Sequence, residues 1–279
     1  MPQKLTGSIV WLGAFLVCYA CCLTLGASPN EPASNTSLTA AVCPIVYQLD
    51  QSPSSGGYRY SFFGNGFFIN EQGYLLTAAH VLEAFRDGGQ PYILVSRRNG
   101  LPKLLQATVI AVDAEHDVAI LRAAINPFNS SYKVFFLALS SEPVSPGEPV
   151  LALSLHPPGK QNAHTFEVPR EDHFAGEVLS YESTQLEKSA PAGEVFLLSH
   201  PVNLGQSGSP VISQSSRAVV GLVEGRWLRS NGLSIAKSPA ASTPTPGAAV
   251  PIRYAIALLQ RQSISWHTPQ SSPSSSPAH

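Results

Sequence analysis

Short apolar runs, mostly too brief for a stable helix, follow one another along this chain with Gly, Pro, Asn and Ser clusters between them. β-Branched and aromatic side chains are stiff about χ1 and pack well on a pleated surface, so such runs favour strands. The pattern predicts strands at residues 45–49, 58–69, 92–96, 103–112, 118–122 and 134–139, with a hairpin loop at 52–57 and bends at Asn65-Gly66 and Gln72-Gly73. A second set follows at 150–153, 175–179, 195–198, 210–213, 219–224 and 249–254. Two groups of about six short strands imply an all-β chain of two six-stranded antiparallel β-barrels. Residues 140–149 read as the crossing between them. Helical periodicity is scarce: a single turn at 80–85, and a short C-terminal helix at 252–262 expected to pack back on the second barrel.

The N-terminus differs in kind. Lys4 precedes a mostly apolar stretch, residues 9–25, and Gly26, Ala27 and Ser28 close it. This is the pattern of an export signal cleaved after Ala27, although Leu25 is larger than the residue usual two positions before the cut. The competing reading is a retained anchor, since the apolar run from Leu5 to Leu25 nearly reaches the roughly 20 residues that span a bilayer. Residues 1–27 are therefore expected to be a signal peptide or membrane anchor and 28–42 a disordered linker. The first barrel is expected at 43–142, the second at 143–265, and a disordered Ser/Pro-rich tail at 266–279. Residues 234–247 read as a mobile surface insertion, and nothing after the second barrel reads as a further peptide-binding domain.

Composition narrows the partners. Charged residues make up 13% of the chain with a net charge of -1, and no basic stripe is interleaved with aromatics, which argues against nucleic acid. A membrane is a partner only if the N-terminal segment is retained. Three of the cysteines, Cys18, Cys21 and Cys22, lie in that segment, so cleavage leaves only Cys43 and no intramolecular disulfide. An exported chain of this kind depends on its hydrophobic core. Cys43 itself reads as a small buried hydrophobe.

Chemistry concentrates in three places. Gly205-Gln206-Ser207-Gly208-Ser209-Pro210 places a serine between glycines, which permit the sharp turn that could aim N–H groups at a developing oxyanion. A serine hydroxyl is a weak nucleophile without an adjacent base. Thr77-Ala78-Ala79-His80-Val81 offers one, and Asp117, opening the apolar run Val118-Ala119-Ile120-Leu121, offers a carboxylate to orient it. The chain order is His, Asp, Ser; an esterase of the nucleophile-elbow type would put histidine last.

These segments resemble those of chymotrypsin-fold, trypsin-like serine proteases, closer to the HtrA/Deg-type and V8-type bacterial branch than to digestive enzymes. The likeness rests on Gly64-Asn65-Gly66-Phe67-Phe68-Ile69 with Gly73-Tyr74-Leu75-Leu76-Thr77-Ala78-Ala79-His80, on Asp117-Val118-Ala119-Ile120-Leu121, and on Val202-Asn203-Leu204-Gly205-Gln206-Ser207-Gly208. It implies a serine endopeptidase working through an acyl-enzyme without a cofactor and acting on a protein or peptide. His80 would be the general base, Asp117 its orienting acid and Ser207 the nucleophile, with an oxyanion hole from the N–H groups of Gly205 and Ser207. A catalytically silent protein of the same fold, binding peptides or a partner, is the alternative. Ser209 falls outside the matching nucleophile position. Gln206 stands where digestive relatives carry an aspartate that pairs with a new N-terminus, so no such activation switch is expected.

The specificity pocket is implied by the same alignment. Pro201, Val202 and Leu204 would approach its wall and base, with Glu224, Gly225 and Arg226 along the opposite wall. None of the first three supplies an acid for Lys or Arg, so a small or apolar residue before the cut is expected, or an acidic one if Arg226 folds inward. His156, His164 and His173 match no metal-ligand spacing and read as surface loop histidines.

Overall fold

The computed structural model describes residues 38–51, 58–85, 88–96, 102–129, 132–157, 169–184, 193–226 and 245–269. The expected export signal, the 52–57 loop, most of the 234–247 insertion and the end of the tail lie outside them. β1 (Val42–Gln51), β2 (Tyr58–Phe68), β3 (Tyr74–Thr77), β4 (Pro91–Ser96), β5 (Pro102–Asp113) and β6 (Val118–Ala123) close into an antiparallel barrel in the order β1-β2-β3-β6-β5-β4. β7 (Pro149–His156), β8 (Arg170–Thr184), β9 (Gly193–Leu198), β10 (Pro210–Ser213), β11 (Val219–Arg226) and β12 (Gly247–Pro251) close a second, in the order β10-β11-β12-β9-β8-β7. Closure removes the unpaired strand edges that an open sheet would expose.

The near-continuous apolar character of β3 and β6 follows from burial on both faces. Leu75, Ala119 and Leu121 point into the first barrel. Their neighbours Leu76 and Ile120 join Leu153, Ile212 and Leu222 in a core that runs between the barrels. The C-terminal helix α1 (Ile252–Arg261) closes this shared core with Ile252, Ala255, Ile256 and Leu259, a helical stripe. Its end is fixed without glycine. Ser263 takes a left-handed φ of 54°, Ser263 N–H donates to Gln260 O at 3.1 Å, and Ile264 N–H donates to Leu259 O at 3.0 Å. That is a Schellman stop, with Ile264 buried beside Leu259.

Three expectations are corrected. Residues 134–139 are no regular strand: Leu137 and Leu139 are buried, yet the backbone only touches its neighbours, Leu137 N–H to Phe68 O and Leu139 by a single bridge to Val219. The run read as 249–254 stops at Pro251, whose φ of -59° opens α1. The helix also packs on both barrels rather than one: Arg261 pairs with Asp113 at 2.8 Å, and Tyr254 stacks on His116 with ring centroids 4.0 Å apart. Order extends beyond the expected limits too, since Leu38 and Ala41 are buried and His267 pairs with Glu71.

Candidate active site

β3 ends at Thr77, and the next residues tighten into a 3₁₀ turn, Ala79–Phe85. Ala79, Val81, Leu82 and Phe85 anchor the turn in the first barrel and leave the His80 ring 40% exposed in the cleft. Asp117 occupies the tight turn between β5 and β6 with φ of 52°, a left-handed conformation that Asp tolerates better than most residues. Its two oxygens take separate bonds: Oδ1 accepts from the His80 backbone N–H at 2.8 Å, and Oδ2 lies 2.7 Å from His80 Nδ1. An ionised carboxylate only accepts, so Nδ1 carries the proton and Nε2 keeps its lone pair for the cleft. Burial pulls the His80 pKa down, but the hydrogen bond and charge of Asp117, helped by Glu224 and Glu83, outweigh it and raise the value above that of a free imidazole.

Ser207 comes from the second barrel, in the loop entering β10. Gly205 and Gly208 have φ of 88° and 77°, and a Cβ on Gly208 would stand 2.2 Å from the Asn65 carbonyl oxygen. Only glycine fits there. The loop braces itself: Gln206 N–H donates to Asn203 O at 3.2 Å, and Asn203 N–H donates to Gln206 Oε1 at 2.7 Å. The N–H groups of Gly205 and Ser207 make no backbone hydrogen bond among the described residues. The Ser207 hydroxyl donates to the carbonyl of Glu224 at 3.1 Å, and no bond joins it to His80 in this resting arrangement. Ser209 is sequestered: it is fully buried, with its Oγ 2.8 Å from Ser154 Oγ.

A cavity of about 440 Å³ adjoins these groups, with His80, Asp117 and Glu224 on its wall and Phe85, Val109 and Val112 among its apolar lining. Glu224, expected on the specificity pocket, lines this cavity beside the His80–Asp117 pair. Burial raises its pKa, the Asp117 charge adds to the rise, and His80 opposes it. Of the other pocket candidates, Val202 packs into the second barrel's core at 2% exposure, Leu204 stands 93% exposed, and Pro201 is exposed with Gly225 half-buried. The Arg226 side chain and His164 lie outside the described residues.

His156 is no surface loop residue. It ends β7 half-buried, edge-on to Phe62 with centroids 5.5 Å apart, and its Nε2 is 3.3 Å from Asp172 Oδ2 without hydrogen-bond alignment. His173 lies within β8, 3.4 Å from Glu171. Among the described residues no three His, Cys, Asp or Glu side chains converge as a metal site. Cys43 is buried against the Gly66 carbonyl, and burial pushes its thiol far above the usual range, so it is inert.

The residue that sequence reasoning passed over is Asn65. Read as a bend, it is fully buried in β2 and bonds both barrels at once. Its signal was the polar side chain between two glycines in an otherwise apolar strand, a mark of close backbone approach.

The family described as "Trypsin-like peptidase domain" matches residues 64–222. A probable periplasmic serine endoprotease, DegP-like, of Halomonas elongata is 36% identical over 77 residues, a segment that is 27% of this chain and 15% of that protein. Among solved structures, the active form of the Rv3671c protease from M. tuberculosis superposes with TM-score 0.53 at 19% identity, over 86% of this chain and 90% of that one. The HtrA-type protease AlgW with a decapeptide gives TM-score 0.54 at 16% identity, over 81% and 65%. At such identities the structural likeness is one of fold.

Proposed function

Since the chain belongs to the trypsin-like peptidase domain family, we propose that it is an exported serine endopeptidase that cleaves protein or peptide substrates through an acyl-enzyme. The observation that carries the reading is the two-point hold of Asp117 on His80 across the cleft from Ser207. In the first step Ser207 Oγ attacks the scissile carbonyl carbon while His80 Nε2 takes the hydroxyl proton. The carbonyl electron pair moves to oxygen, and the N–H groups of Gly205 and Ser207 hold that oxyanion. Collapse breaks the C–N bond as His80 returns the proton to the leaving amine. Water then attacks the ester by the same route, and Ser207 regains its proton. The hydroxyl must first leave the Glu224 carbonyl and turn to His80.

A small or apolar residue before the cut is proposed, because the exposed Pro201 and Leu204 bring no charge to hold Lys or Arg. Gln206 is engaged within its own loop, which supports activity that needs no ion pair to a new N-terminus. The export part of the proposal rests on residues 1–27, which lie outside the described structure. The resting bond of Ser207 to Glu224 favours a second reading, a silent peptide-binding protein of the same fold. A peptide-library cleavage profile, with an active-site-directed phosphonate and the Ser207→Ala variant as control, decides between them. Turnover and labelling lost in Ser207→Ala support the hydrolase; an unlabelled, non-cleaving wild type supports the binding protein.

A further inference from the structure

Asn65 uses every polar group it has. Its backbone N–H donates to Ser207 O at 2.8 Å, and its backbone carbonyl accepts from Thr77 Oγ1 at 2.7 Å. Its side chain spans to the second barrel twice: Nδ2 donates to Gly205 O at 2.8 Å, and Oδ1 accepts from Leu155 N–H at 3.0 Å. These partners fix the amide's orientation, because a carbonyl must face a donor and an N–H an acceptor. The strand is shaped for the approach. A register shift after Ile45 bends β2 just before Gly64, and a Cβ on Gly64 would lie 2.7 Å from Ser207 O.

We propose that Asn65 is a positioning residue for the nucleophile loop: it holds the carbonyls of Gly205 and Ser207, which flank the peptide unit carrying the Ser207 N–H of the oxyanion hole. The inference rests on the hydrolase reading for its meaning, and the geometry on which it stands is independent of that reading. Pinning the Gly205 carbonyl limits rotation of that residue, whose own N–H is one oxyanion donor. Pinning the Ser207 carbonyl sets the backbone from which Oγ departs. A loop held this way is in place before substrate arrives, which is what makes such donors effective.

Asn65→Asp is the informative change. It keeps an oxygen for Leu155 N–H but sets a second oxygen against the Gly205 carbonyl. Asn70→Asp is the control: Asn70 is equally buried, donating to Ser265 O and accepting from Gln72 and Tyr74, remote from the loop. Amide hydrogen exchange and steady-state kinetics are measured on the full chain in both variants. We expect Asn65→Asp to speed exchange at residues 203–208 and to lower kcat by about 100-fold, the size of losing one oxyanion donor, with little change in KM. Affinity for a peptidyl boronate should fall in parallel, and Asn70→Asp should lose thermal stability alone. Unchanged exchange at 203–208 in Asn65→Asp, or a kcat within about threefold of the Asn70→Asp value, overturns the proposal. A wild type that cleaves nothing would remove the hydrolase reading, while the exchange data would still decide whether Asn65 holds the loop.

Discussion

Asp117 grips His80 at two atoms, the backbone N–H at 2.8 Å and the ring Nδ1 at 2.7 Å, so the carboxylate sets both where the imidazole stands and which nitrogen carries its proton. Replacing it by the isosteric amide should test this with little damage to the fold, because Asn also tolerates the left-handed φ of 52°. Asp117→Asn is expected to melt near the wild type and to lose about 10⁴-fold in kcat by favouring the wrong tautomer. A kcat within about tenfold of the wild type would refute the orienting role.

The pH profile follows from the same pair. The base is neutral His80, and its proton affinity is raised despite burial by Asp117, Glu224 and Glu83. Activity should therefore rise with pH through a midpoint above that of a free imidazole. Glu224→Gln removes one of the raising charges and should move the acid limb of kcat/KM to lower pH, while Glu224→Asp should largely keep it. The folding linkage runs the other way. A raised histidine stabilises the fold fully below its unfolded pKa, and that stability is lost as pH climbs through the folded value. Superimposable profiles for wild type and Glu224→Gln would show that Glu224 does not act on His80.

Two serines, Ser207 and Ser209, should separate activity from stability. Ser209→Ala leaves Ser154 Oγ without its 2.8 Å partner in the core, which costs about 1 kcal/mol in a denaturant melt. Phosphonate labelling should persist in that variant and vanish in Ser207→Ala. The reverse pattern would move the nucleophile to Ser209.

His200 should make the second barrel acid-sensitive. Its ring stacks on Phe174, is 9% exposed, and has no hydrogen-bond partner at either nitrogen among the described residues. Burial lowers its pKa, so the folded state keeps it neutral. The unfolded chain then binds the proton first, and stability present at neutral pH is lost as pH falls below the unfolded histidine value. His200→Phe removes that loss, and its melting temperature should fall less than the wild type's between neutral and mildly acidic pH. Parallel declines would count against the assignment.

The strands and the chain order of His80, Asp117 and Ser207 were legible because each depends on local pattern: alternating or continuous apolar runs, and turns marked by glycine. What stayed hidden depends on contacts distant in sequence. Asn65 meets Leu155 and Gly205 across separations of 90 and 140 residues; its place between two glycines marks a close approach, but no local rule names the partners. Residues 134–139 misled for the opposite reason, since Leu137 and Leu139 are apolar to fill the inter-barrel core and not to extend a ladder. Leu204 was read as a pocket wall by alignment, yet it is 93% exposed, because a single residue's direction in a tight loop follows backbone geometry that sequence does not print. Glu224 shows the same limit: its strand was expected, its place in the cavity beside His80 was not.

The clasp of α1 has a mechanical consequence. Arg261 on Asp113 and Tyr254 on His116 rivet the last helix to the first barrel, while Ile252 and Leu259 root it in the core shared with the second. The last helix thus works as a tie rod: pulling the barrels apart would have to break these contacts and expose the apolar stripe of α1.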